Sequence, residues 1–164
     1  MRQLTLIAPL LGLVACGPSE VDSPLVVNEF VADNVNGLAG PDQDFPDWVE
    51  LHNTGADDES LAGYALSDDP DELALHLFDD TLFVPAGGYV VLYADGGDDV
   101  DRLPFGLSAD GETLVLSKLV DGQMALVDGL TFGALSPDVA GARLPDGAGD
   151  WTFDDSPTPG ARND

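Results

Sequence analysis

Cysteine is nearly missing from this chain, which has a single one at position 16. Basic side chains are scarce too, with 5 Lys and Arg against 31 Asp and Glu, and 2 His. Beyond the first residues there is no long apolar run. Each shortage excludes something. A lone cysteine cannot close an internal disulfide, so the fold must rest on its core. A net charge of −26 repels the phosphates of nucleic acid, and no nucleic acid is expected as a partner. The lack of a second apolar run argues against a polytopic membrane protein. Helical periodicity is also missing. The best candidate, "DDPDELALHLF", is opened by Pro70 and has only a brief apolar part.

What is present fits one turn-rich domain behind a leader. The chain has 164 residues, is 44% hydrophobic, and carries 19 Gly and 12 Pro. Many of its acids are Asp in turn positions, such as Asp68–Asp69, Asp79–Asp80, Asp98–Asp99, Asp121 and Asp146. Asp stabilises turns by accepting nearby backbone N–H groups, which explains much of the excess without any metal.

The leader reads "MRQLTLIAPLLGLVACGPS". Arg2 supplies a positive start, and Leu4 to Val14 form an apolar stretch too short to span a bilayer. The run ends in Leu13-Val14-Ala15-Cys16, which resembles the bacterial lipoprotein box. That resemblance implies a signal peptide over 1–15, cleavage before Cys16 and lipid attachment to its sulfur. The expected location is the cell envelope, with the chain held to the membrane by acyl chains. Gly17 rather than Asp after the cysteine favours the outer membrane or cell surface, by analogy with the enterobacterial sorting rule. Residues 16–24 then serve as the lipidated cysteine and a flexible tether, "GPSEVDSP" being polar and Pro-bearing.

From residue 25 onward, β-branched and aromatic runs alternate with Gly, Pro and Asp. Strands are expected at 25–31, 47–53, 61–67, 73–78, 88–94, 112–118 and 124–132, with shorter pieces near 142–144 and 151–153. Their spacing indicates an all-β sandwich or barrel. Asp110-Gly111 and Asp121-Gly122 read as hairpin turns. In "DWVELHNTG" (47–55), alternation puts Val49 and Leu51 on the core side, with Leu66, Val91, Leu114 and Leu116 as expected neighbours. Trp48, Glu50 and His52 share the other side. Trp48 is expected to be a half-exposed ring over a sheet edge or a binding platform, with Glu50 beside it available to a partner.

Taken in order, "VVNEFVADN" (26–34), "DWVELHNTG" (47–55), "LAGYALSDD" (61–69), "VPAGGYVVLYADG" (84–96), "LSADGETLVLS" (107–117), "GARLPDG" (141–147) and "TPGARN" (158–163) resemble the lamin-tail domain family. The resemblance covers residues 25–163. It implies an immunoglobulin-like β-sandwich, and a targeting or interaction module rather than a catalyst. Bacterial members are secreted or surface proteins, so envelope proteins or extracellular glycans are the partners it suggests. The basic surface that would favour DNA is absent here.

Motifs for catalysis are thin. The sequence contains no "HExxH", and the two histidines, His52 and His76, read as surface strand residues. "GLSAD" (106–110) lacks the last Gly of a nucleophile elbow. No catalytic residue is assigned, and a hydrolase is the least favoured reading. Calcium is the sharper alternative, in a calcium-dependent adhesion or glycan-binding module. One acidic set is Asp95, Asp98, Asp99 and Asp101 in "DGGDDVD", which does not match an EF-hand loop. A second is Glu29, Asp47, Glu50 and Asp68. Glu29 alternates with Val27 and Val31, so it is expected to point partly inward, where a buried acid needs a partner. Arg143 is the expected ion-pair partner, and a cation shared with neighbouring acids is the alternative. Gly141 and Gly147 are expected to serve backbone conformation, and Pro159 and Gly160 to build the last turn.

Overall fold

A computed structural model describes residues 21–163. Twelve strands follow in order: β1 Leu25–Val31, β2 Asp47–Asn53, β3 Glu59–Ser60, β4 Tyr64–Ser67, β5 His76–Leu77, β6 Phe83–Val84, β7 Tyr89–Ala94, β8 Arg102–Leu103, β9 Thr113–Val120, β10 Gln123–Thr131, β11 Ala140–Leu144 and β12 Asp150–Asp154. They form a six-stranded sheet ordered β12-β11-β1-β2-β7-β8, a four-stranded sheet ordered β10-β9-β4-β5, and a small β3-β6 ribbon. The fold is all-β, an immunoglobulin-like sandwich. Among the described residues, no helix is long and apolar enough to cross a membrane.

β1 and β2 run as the sequence reading placed them, and Val49 and Leu51 are fully buried. They meet Leu66, Leu114 and Leu116 of the other sheet in one core cluster with Val27, Phe30 and Leu92. Val91, expected in that core, instead sits opposite Glu50, while Leu92 pairs with Val49. The alternation along β2 holds, but β7 turns Leu92 rather than Val91 to the core.

Other departures have local causes. Strand at 61–67 begins only at Tyr64, because Leu61–Tyr64 closes a turn through Tyr64 N–H to Leu61 O. Strand at 73–78 shrinks to His76–Leu77, because Asp69–Leu75 is occupied by consecutive turns. Asp121-Gly122 does join β9 to β10, with both residues at positive φ (51° and 82°), as a two-residue primed turn demands. Asp110-Gly111 is no hairpin: Gly111 N–H closes a turn on Ser108 O before β9. The supposed tether is docked at its end. Val21 N–H donates to Leu126 O, and Ser23 Oγ lies 2.7 Å from the Tyr64 hydroxyl. Cys16 and residues 1–20 fall outside the described residues.

Gly141 owes its place to space rather than to a special φ. A Cβ there would lie 2.4 Å from the Phe30 ring, so the glycine lets that ring sit in the core.

Candidate functional site

The feature that organises the outer face of the six-stranded sheet is a bulge in β1. Register shifts between Val27 and Glu29, so Val27 pairs with Leu51 and Glu29 with Glu50, leaving Asn28 extra. The bulge breaks simple alternation. Val27 joins the core, while Glu29 lies opposite Glu50 and away from it. The expectation that Glu29 shares a side with Val27 is thereby corrected.

Two distant residues satisfy the backbone that the bulge disturbs. Asp128 Oδ2 accepts the Val27 N–H (2.9 Å), and Arg143 Nε donates to Val27 O (2.8 Å). The same guanidinium donates to Gly149 O at 3.1 Å and to Asp128 Oδ1 at 2.6 Å, and lies over the Trp151 ring. Arg143 therefore pairs with Asp128, not with Glu29. The side-chain chemistry expected of it is right, and its partner is different.

Glu29 and Glu50 are almost fully buried, and their partners come from the chain's end. Thr158 N–H donates to both Glu29 oxygens at 2.9 and 3.1 Å. Gly160 N–H donates to Glu50 Oε2 (2.6 Å), and Asn28 Nδ2 to Glu50 Oε1 (2.8 Å). Burial pushes both carboxyls up to about 7, against the pull of these donors, with nearby acids adding a smaller upward push. Asn163 fastens the same segment, donating from Nδ2 to Asn28 O and Arg143 O. The "TPGARN" segment thus acts as a clasp across β1 and β2.

Asp146 joins this network from the turn after β11. It accepts Tyr89 Oη–H (2.7 Å), Asn163 N–H and Asn28 Nδ2. Burial pushes this carboxyl up, but those donors outweigh it and hold it below its ordinary value. His52 is 8% exposed rather than on the surface, and stacks on Tyr89. Its Nδ1 lies 3.3 Å from Asp146 Oδ2 but is not aligned for a hydrogen bond, so that atom has no bonded partner. Gly147 sits at φ 71°, donates its N–H to Asn28 Oδ1, and leaves room for His52.

Trp48 is fully buried, against the expectation of a half-exposed ring. It packs with Val31 and Ala140, and with the partly buried Leu38, Val91 and Tyr93. Segments folded over the outer face turn it into a second small core. Neither Trp48 nor Glu50 is open to a partner.

The two acidic sets do not assemble as cation sites. Asp47 stands three residues from Glu50, roughly 10 Å along an extended strand, and its Oδ1 accepts the Asn34 N–H. Asp47 and Asp68 both act on Glu112, whose carboxyl is raised chiefly by burial and then by these charges. In the 95–101 loop, Arg102 reaches Asp95 and also Asp42. Asp99 is largely exposed, 3.9 Å from that guanidinium. Arg102 thus supplies the positive charge around which this loop is arranged. Among the described residues, no group of three or more His, Cys, Asp or Glu is arranged to hold a metal ion.

Sequence reasoning missed Asn28, Tyr89, Asp128, Asp146, Thr158 and Asn163 as a connected set. Several lie inside quoted motifs, "VVNEFVADN", "GARLPDG" and "TPGARN", where they had been read only as turn or strand. Gly160 does build the last turn, at φ 77°.

Compared with known proteins, residues 18–134 match the family model described as Lamin Tail Domain. No curated protein matches the chain. Past residue 134 the same sheet continues through β11, which pairs with β1, and β12.

Proposed function

The chain belongs to the lamin tail domain family, a family of non-enzymatic immunoglobulin-like domains, and on that premise we propose that it is a lipid-anchored, non-catalytic binding module of the cell envelope. Cys16 carries the lipid, and the sandwich is displayed to envelope proteins or extracellular glycans. The observation behind the non-catalytic role is the fate of the buried acids. Glu29, Glu50 and Asp146 are bonded to the chain's own Thr158, Gly160, Asn28, Tyr89 and Asn163. The groups best suited to acid–base work hold the fold together instead.

The anchor is supported by the sequence before Cys16 and by the docking of Val21 and Ser23, which seats the domain shortly after that residue. Fractionating the native host tests it. The wild type is expected with the membranes and in the detergent phase, and the Cys16→Ser variant is expected to be released or misprocessed. Identical distribution of the two overturns the anchoring.

A further inference from the structure

The sandwich is open along one edge. β5 ends the four-stranded sheet and β8 ends the six-stranded sheet. Between β5 with its following Asp79–Leu82 turn and the Asp98–Val100 turn before β8 lies a groove of about 260 Å³. Two of its lining side chains are large, apolar and half exposed, Leu77 at 50% and Val100 at 51%. Phe83, next along the chain from the lining residue Leu82, is 57% exposed. Apolar side chains gathered this way mark an interaction surface more often than scattered ones do.

The rim is charged with one sign. Asp79, Asp98 and Asp99 line the groove together with His76, and no Lys or Arg does, the Arg102 guanidinium lying 3.9 Å from Asp99 outside the lining. Asp79 is held in place by the Thr81 N–H (2.9 Å) and hydroxyl. The wall also carries a hydrogen-bonding template. Phe78 N–H faces inward to Tyr64 O (2.9 Å). Successive residues of a strand point their backbone groups in opposite directions, so the Leu77 N–H and C=O face away from β4. β5 is only two residues long, so this edge offers an extended segment one such pair of backbone groups beside the apolar floor.

We infer that this groove binds an extended, basic segment of another protein, laid along β5 with apolar side chains on Leu77 and Val100 and Lys or Arg side chains on the aspartate rim. Charge complementarity selects the occupant: a net charge of −26 and an all-acidic rim repel acidic chains and phosphates and attract a cationic one. This inference rests on the binding-module reading and gives it a partner class.

The test is fluorescence anisotropy with the full chain and a labelled, end-capped peptide of alternating Lys and Val. Matched Lys-Ser and Glu-Val peptides serve as controls. The Lys-Val peptide is expected to bind, at least tenfold more tightly than either control. Val100→Lys is expected to weaken it at least tenfold. Leu77→Pro, which removes the outward N–H together with the leucine side chain of the floor, is expected to weaken it several-fold. Asp98→Asn with Asp99→Asn is expected to flatten its salt dependence. A melting curve on each variant checks that it folds, and Val100→Lys carries the test if Leu77→Pro does not. Equal binding of Lys-Val and Lys-Ser overturns the apolar floor. Unchanged binding in Val100→Lys and in the double asparagine variant overturns the groove, whatever the peptide does elsewhere. No Lys-Val binding at all also overturns it, and leaves the anchored binding module to be judged by Cys16→Ser alone.

Discussion

Glu29 and Glu50 sit directly opposite each other on β1 and β2, and each accepts a backbone N–H from the same C-terminal segment. Two acids brought together out of water would be a liability in most folds. Here their donors compensate part of that cost, and burial still leaves both carboxyls raised to about 7.

Stability is therefore expected to fall as pH rises. Between the ordinary value of 4.5 and about 7, the native chain holds protons on Glu29 and Glu50 that the unfolded chain has released. Unfolding then releases protons, so its free energy drops through this window and levels off above it. The contribution is on the order of a few kcal/mol for the pair. Asp146 works the other way, since its depressed value lends stability that is lost only in stronger acid. Urea melts at pH steps across this range check the sign. Glu29→Gln keeps an oxygen for the Thr158 N–H and is expected to remove about half of the slope.

Asn163→Ala is expected to loosen the clasp. The side chain bonds Asn28 O and Arg143 O in a site only 5% exposed. Removing these two buried bonds costs about 1–3 kcal/mol in all, so a drop of that size in chemical denaturation is expected. Hydrogen exchange is expected to speed up at the Thr158 and Gly160 amides while the β9–β10 hairpin stays protected.

Arg143→Lys is expected to be far from conservative. The guanidinium reaches Val27 O, Gly149 O and Asp128 Oδ1 at once, a fork that an ammonium cannot reproduce. A loss of about 1–3 kcal/mol is expected in urea melts. Pairing it with Asp128→Ala in a double-mutant cycle should show coupling, because both side chains hold the same bulged residue, Val27.

The parts of this molecule legible in its sequence are those with a strong local signal. β1 is rich in apolar and β-branched residues, β2 alternates Val49 and Leu51 with polar neighbours, and with Pro24, Pro46 and Thr54-Gly55 as bounds their limits could be read directly. The two-residue strands β3, β6 and β8 could not, because a pair of residues has no periodicity to detect. The Asn28 bulge was equally silent, and it alone changes which side Glu29 takes. Trp48 and Glu50 were assigned the correct side of β2, but the burial of that side depends on chain around Leu38 and on a segment some hundred residues further along. Alternation reports which residues share a face; it carries no information on what later covers that face.

The clasp also imposes an order on synthesis. Thr158, Gly160 and Asn163 emerge from the ribosome after all twelve strands, and until they do, the acids on β1 and β2 have none of their closing donors. A chain that stops before Thr158 is left with two carboxyl groups stripped of these donors at the centre of its larger sheet, a mark by which an unfinished product differs from a finished one.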